Sequence, residues 1–332
     1  MTERTDSSPA KPEAQRSAQQ RVSFSQRFWK IWDRGGIFII LGVFAIVLAL
    51  LTPRFLTPQN LINLVRQVSV LTLMSMALLT VVITGNIDLT VGAFAGLIGA
   101  LIAGFSIALG FFPALMLVAL IAIFVGLTNG FLTTRGKNLS VIVTLAMMTI
   151  IQGVTLLYTE SRPITGFSEA IVALGSGYIG PIPVPVIIAV LVALLIHFML
   201  NHTRFGRELF AIGGNPEAAR LSGIPVKLRI IHAFVISAML SATAGIVLTG
   251  RVASAQPNAG VGDELDAVGA VLIGGASLSG GKGTVLGTLA GVLILGMISN
   301  GLNLLRINPF YQYVIKGLII LFAILMDQWE RD

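Results

Sequence analysis

Asn201-His-Thr-Arg-Phe-Gly-Arg-Glu-Leu-Phe-Ala-Ile-Gly-Gly-Asn-Pro-Glu-Ala-Ala-Arg-Leu-Ser-Gly-Ile-Pro-Val-Lys-Leu-Arg229 is a long polar interval between two apolar runs of membrane-crossing length, about Val186–Leu200 and Ile230–Leu248. It carries Arg204, Arg207, Arg220, Lys227 and Arg229 against Glu208 and Glu217, so it is expected on the cytoplasmic side. Within it the residues spell out a short helix. Asn215 suits an N-cap, Pro216 the first helical position, and Glu217 the positive end of the dipole. Gly223 suits a left-handed stop, and Pro225 prevents resumption. A loop that only meets water has no need of such a helix, so we read it as a docking element.

Working outward, the whole chain has the same character. It has 332 residues, 55% of them hydrophobic and 11% charged, and a mean hydropathy of +0.88. Soluble domains carry about 25% charged residues, so the expected class is an all-α, polytopic membrane protein. At roughly 20–30 residues per span with its loop, about eight to eleven helices fit. The absence of cysteine rules out disulfides and thiolate metal sites. The net charge of +7 is better explained by membrane orientation than by nucleic acid, since the basic residues gather in tails and loops on one expected side.

Residues 1–30 are expected to be a disordered polar tail in the cytoplasm, and residues 31–332 the transmembrane domain. Phe28-Trp-Lys-Ile-Trp-Asp33 reads as an interfacial anchor, and Gly36–Leu51 as a first span rather than a cleaved signal. Pro53–Gln67 is expected as an outer connection, with room for a helix lying along the surface. Further spans follow at Val68–Ile83, from Asp88 to Leu109, from Pro113 to Phe131, and at Val141–Tyr158. After an outer segment and the central pair come a short eighth span, Ala267–Ala276, a ninth, Thr284–Leu305, and a tenth, Phe310–Met326. Ten spans put both termini in the cytoplasm. The basic residues crowd the expected inner side, and Tyr158, Tyr178, Tyr311 and Tyr313 the outer, in keeping with that orientation. Val82-Ile-Thr-Gly-Asn86 resembles Val247-Leu-Thr-Gly-Arg251 five spans later, which raises an inverted repeat of spans 2–5 and 7–10.

Among polar groups at membrane depth, Asp88 and Thr90 in Thr84-Gly-Asn-Ile-Asp-Leu-Thr-Val-Gly92 stand out. An ionisable residue there either caps the next helix or serves a pathway or gate. Asn129 and Gln152 either hydrogen-bond between helices or line a path for a polyhydroxylated solute. Lys316 is expected to snorkel outward, the alternative being a pair with an intramembrane carboxylate. The Gly-x-x-x-Gly pairs at 92/96, 126/130, 283/287 and 287/291 read as packing faces. Ser279-Gly-Gly-Lys-Gly283 is not a Walker loop, because position 276 is Ala and position 283 is Gly. ATP is therefore not expected to bind here. The three His lack metal-ligand spacing, and no metal or other cofactor is expected.

Gly85–Gly92, Ala211–Ile224, and Gln256–Asp266 running into Gly274–Gly283 closely resemble the ribose-type permeases of bacterial sugar ABC importers, in order and with similar spacing from about Ile37 to Asp327. The resemblance implies a homodimer in the inner membrane, a periplasmic sugar-binding protein, and a cytoplasmic ATPase with two nucleotide sites. It also implies that Gly213, Gly214, Asn215, Pro216, Glu217, Ala218, Ala219, Arg220 and Gly223 form the coupling element. One departure from the family pattern is Asn86, where the family has Gly. A side chain there is a candidate contributor to solute selectivity. Two other readings stay open: an ion-coupled secondary transporter, which would need more buried carboxylates than Asp88 and Asp266 supply, and an ABC permease for nucleosides or branched-chain amino acids.

Overall fold

The structure, a computed structural model, describes residues 24–136 and 139–329. Most of the expected tail, Lys137 and Asn138 of the inner loop, and Arg331 lie outside the described residues. Thirteen helices and one two-stranded hairpin make up the described chain.

The first helix, α1 (Phe24–Leu51), contains the apolar stretch expected as the first span. The second, α2 (Pro58–Val82), corrects the sequence reading, because the helix within Pro53–Gln67 is no separate surface element but runs unbroken into the expected second span. Pro58 sits in the first turn, where a missing N–H costs nothing, and no glycine or proline follows until Gly85. The polar residue Asn60 is accommodated in this buried helix because its side chain exchanges hydrogen bonds of 3.0 and 2.9 Å with Asn300. Then come α3 (Val91–Leu109), α4 (Phe111–Thr133) and α5 (Ser140–Thr159), close to the expected limits.

The outer segment after α5 is more ordered than its prolines imply. It forms α6 (Glu169–Ser176), N-capped by Ser168, and a hairpin of β1 (Tyr178–Ile179) and β2 (Ile182–Pro183). It is pinned by a bridge between Ile164 and Ala255. Next are α7 (Val184–His202), α8 (Arg204–Gly214), α9 (Pro216–Leu221), α10 (Val226–Val252), α11 (Asp263–Ile273), α12 (Val285–Leu304) and α13 (Pro309–Trp329).

Seven of the described helices (α2, α3, α4, α5, α7, α10 and α12) are long and apolar enough to cross a membrane. The expected eighth crossing differs. As α11 it has 11 residues and spans about 16 Å, roughly half of a 30 Å hydrocarbon core.

The protein's centre is α10, packed against α2, α3, α4 and α6. Gly126 and Gly130 let α4 approach it so closely that a β-carbon at either would overlap the α10 backbone at Val235 or Ile231. By contrast α4, α5 and α7 keep most of their surface exposed and apolar, as a lipid-facing rim requires.

Two irregular passages break the helical order, residues 83–90 between α2 and α3 and residues 253–262 between α10 and α11. The two helices that follow start against each other. A β-carbon on Gly92 would collide with the Gly260 carbonyl and the Glu264 carboxylate, and one on Gly260 with the Gly92 carbonyl.

Candidate functional site

At the expected cytoplasmic face, α8 is N-capped by Thr203, whose Oγ1 accepts from the Gly206 N–H at 3.1 Å. Glu208 is buried and binds two guanidinium groups, those of Arg204 (2.8 Å) and Arg229. Arg229 belongs to the first turn of α10, so this carboxylate fastens α8 to α10. Burial pushes the Glu208 carboxyl up. The hydrogen bonds and charges of Arg229 and Arg204 outweigh that and hold it below the usual range.

The short helix α9 has the punctuation expected of it. Asn215 Oδ1 accepts from the N–H groups of Glu217 and Ala218, both at 3.0 Å. Pro216 opens the helix, and Gly223 ends it with φ +82°. Ala219 is buried and seats the helix, while Ala218, Leu221 and the bidentate Arg220–Glu217 pair (2.5 and 3.1 Å) face outward. The outer face therefore offers one carboxylate, one guanidinium and one large apolar side chain. Gly214 is open on its β-carbon side.

Gly213 is not. A β-carbon there would overlap the Ile83 carbonyl oxygen and the Gly281 amide nitrogen. Those two atoms are themselves joined, since the Gly281 N–H donates to Ile83 O at 2.9 Å. Gly85 and Gly280, both at positive φ, close the junction from either side. Three stretches far apart in sequence thus meet through backbone alone: the end of α2, the end of α8, and the loop between α11 and α12. Gly213 lies three residues before α9, so that helix is joined through it to the passages leading into α3 and out of α11.

From this junction the chain runs to Asp88, which is fully buried. One carboxylate oxygen accepts from the Thr90 N–H (3.0 Å) and hydroxyl (2.5 Å), and the other from Ser237 Oγ of α10 (2.8 Å). Asn129 of α4 donates to Thr90 Oγ1 at 3.2 Å. Asp88, Thr90 and Asn129 therefore form one network tying the start of α3 to α4 and α10, and satisfying irregular backbone that lipid cannot.

Asn86 and Gln152 lie apart from it. The Asn86 amide turns back to Thr84 Oγ1 at 3.0 Å. Its φ is not positive, the left-handed turn being made by Gly85, so a side chain at position 86 causes no backbone strain. Gln152 is half-buried, about two turns beyond the part of α5 that touches this loop, and makes no hydrogen bond among the described residues.

One feature was missed from sequence, and one took the second of its two readings. Ser237 carried no signal, being one hydroxyl among many in apolar helices. Lys316 takes the paired rather than the snorkelling role: its Nζ pairs with Asp266 Oδ2 at 2.5 Å. The signal was available, since a lone lysine and a lone carboxylate at similar depth are each expensive until paired.

Compared with known proteins, residues 60–324 match the family model described as "Branched-chain amino acid transport system / permease component". This chain belongs to that permease family. The permease is 44% identical to the ribose import permease protein of Bacillus subtilis, over 96% of its own length and 98% of the relative's. It is 41% identical to the Escherichia coli ribose import permease protein, over 94% and 99% of the two chains. To the Escherichia coli L-arabinose transport system permease protein it is 37% identical, over 95% and 96%. No solved structure matches it.

Proposed function

We propose that the permease is the membrane-spanning subunit of a bacterial ABC importer and carries a monosaccharide across the inner membrane by alternating access. In this reading two copies enclose the solute path, both termini are cytoplasmic, and a periplasmic sugar-binding protein delivers the solute. A separate cytoplasmic ATPase with two nucleotide sites does the hydrolysis, so the permease itself is no enzyme and needs no cofactor. The reading is supported above all by near-full-length similarity to permeases named for ribose and L-arabinose import. The exposed face of α9 supports the coupling role, and the Gly213 junction offers a route from it to both interrupted helices.

The family's printed description favours one second reading, a branched-chain amino acid as cargo. Uptake of labelled D-ribose competed with unlabelled leucine or ribose decides between them. The coupling role is tested by the double variant Glu217→Ala, Arg220→Ala. It is expected to reach the membrane at wild-type level yet lose uptake and sugar-stimulated ATP hydrolysis. Wild-type transport by that variant would overturn the assignment of α9.

A further inference from the structure

Behind the Lys316–Asp266 pair lies a cavity of about 130 Å³, in the half of the bundle that holds the start of α11. Its polar lining includes Arg251, Asp263, Asp266, Ser299 and Lys316, and Leu248 and Leu295 contribute apolar wall. A second chamber of about 250 Å³ shares Asp263, Asp266 and Lys316 and carries Gln312 and Tyr313. The pair stands where the two meet.

The polar groups are poorly satisfied by the protein. Arg251 donates once, at 3.5 Å, to the Gln67 carbonyl. The Asp263 carboxylate accepts no hydrogen bond among the described residues, although Arg251 and Lys316 lie close enough to influence it. Ser299 is 94% buried (6% exposed), lines the cavity, and likewise has no hydrogen-bond partner among the described residues. Buried donors and acceptors left open toward a cavity call for an occupant that supplies both.

Charge and size narrow the occupant. Arg251 and Lys316 balance Asp263 and Asp266, so the lining favours neither an anion nor a cation. Since one water takes about 30 Å³ of liquid volume, the cavity by itself holds about four waters, and with the adjoining chamber of about 250 Å³ it offers room for a molecule with the heavy atoms of a pentose. Open donors, open acceptors and apolar wall at zero net charge suit a neutral polyol.

We propose that this cavity is a sugar subsite within each permease protomer, with Asp263 and Ser299 as hydroxyl-recognising residues and the Lys316–Asp266 pair as the divider between its two chambers. The proposal rests on the monosaccharide importer reading. It adds that the permease itself makes polar contact with the solute.

The chain has no cysteine, so Ser299→Cys creates one reactive position in each permease protomer of the permease–ATPase complex. With the partner's cysteines replaced, labelling by a small charged methanethiosulfonate reagent should proceed, and 100 mM D-ribose should slow it at least fivefold while 100 mM sodium chloride does not. Equal rates with and without ribose, or a thiol that never reacts, would overturn the subsite. In the complete complex with its binding protein, Asp263→Asn should cut ribose uptake about tenfold or more while ATP hydrolysis stimulated by the loaded binding protein persists. Wild-type uptake by Asp263→Asn would also overturn it. A wild-type complex that takes up no sugar at all would instead sink the importer reading.

Discussion

Gly213 and Gly214 are neighbours at the end of one helix, and the same substitution should have opposite results at the two. At Gly214 nothing lies within 4 Å of an added β-carbon, and φ is not positive. Gly214→Ala should therefore be neutral, or stabilising by up to about 1 kcal/mol through helix propensity. At Gly213 the added carbon meets Ile83 O and Gly281 N, backbone atoms already joined by a hydrogen bond. A flexible side chain could step aside, but these atoms cannot without parting α8 from the α2–α3 passage. Overpacking of this kind costs about 1–3 kcal/mol, and the upper end is expected because all the obstructing atoms are main chain. Thermal unfolding of the purified permease complex in detergent measures this: the Gly213→Ala midpoint should fall clearly below wild type, and that of Gly214→Ala should match or exceed it. Uptake should follow the same order. If the two variants unfold and transport alike, the three stretches do not meet as described and the route from α9 to the interrupted helices is lost with them.

The Glu208 clamp has a pH signature. Its carboxyl is held below the ordinary value of 4.5 in the folded protein, so its contribution is complete above that value and disappears as pH falls through the folded one. The midpoint difference between wild type and Glu208→Gln should be constant from pH 8 to about 5.5 and shrink below about 4.5; a difference unchanged down to pH 3.5 would rule the clamp out. Asp88→Ala removes the acceptor for the Thr90 amide, the Thr90 hydroxyl and the Ser237 hydroxyl together. It should destabilise by more than Ser237→Ala, with about 1–3 kcal/mol for each buried group left unpaired, and equal midpoints for the two variants would contradict the network.

Much of the fold was legible because a bilayer imposes two demands that sequence displays directly, apolar length and charge side. The helices α3, α4, α5, α7 and α12 begin and end within a few residues of where those demands put them. The α9 helix was legible for a different reason: Asn215, Pro216 and Gly223 act on their own local backbone, and local chemistry survives without knowledge of the fold. What escaped were relations between distant positions. Nothing near Ser237 says that it faces Asp88, and nothing near Gly213 says that Ile83 and Gly281 press on it. Pro53–Gln67 misled because Asn60, Arg66 and Gln67 look too polar for a membrane helix until Asn300 supplies a partner for Asn60 and the Tyr178 ring lies 4.9 Å from the Arg66 guanidinium.

The weak likeness between Val82–Asn86 and Val247–Arg251 looks different once α11 is seen to be a half-length helix. After each of these segments the chain leaves helical geometry and starts a new helix, at Val91 and at Asp263. Irregular backbone at that depth must be satisfied from within the protein, and each passage brings its own carboxylate to do so. Asp88 accepts from the Thr90 N–H, and Glu264 accepts from the Gly262 N–H with both oxygens, at 3.1 and 3.0 Å. The two helix starts then abut at Gly92 and Gly260, where no side chain fits on either. One start is joined to the Gly213 junction through residues 83–90, and the other borders the Lys316–Asp266 cavity. The α9 helix is therefore linked, through two backbone contacts, to the wall of the chamber proposed to hold a neutral polyol.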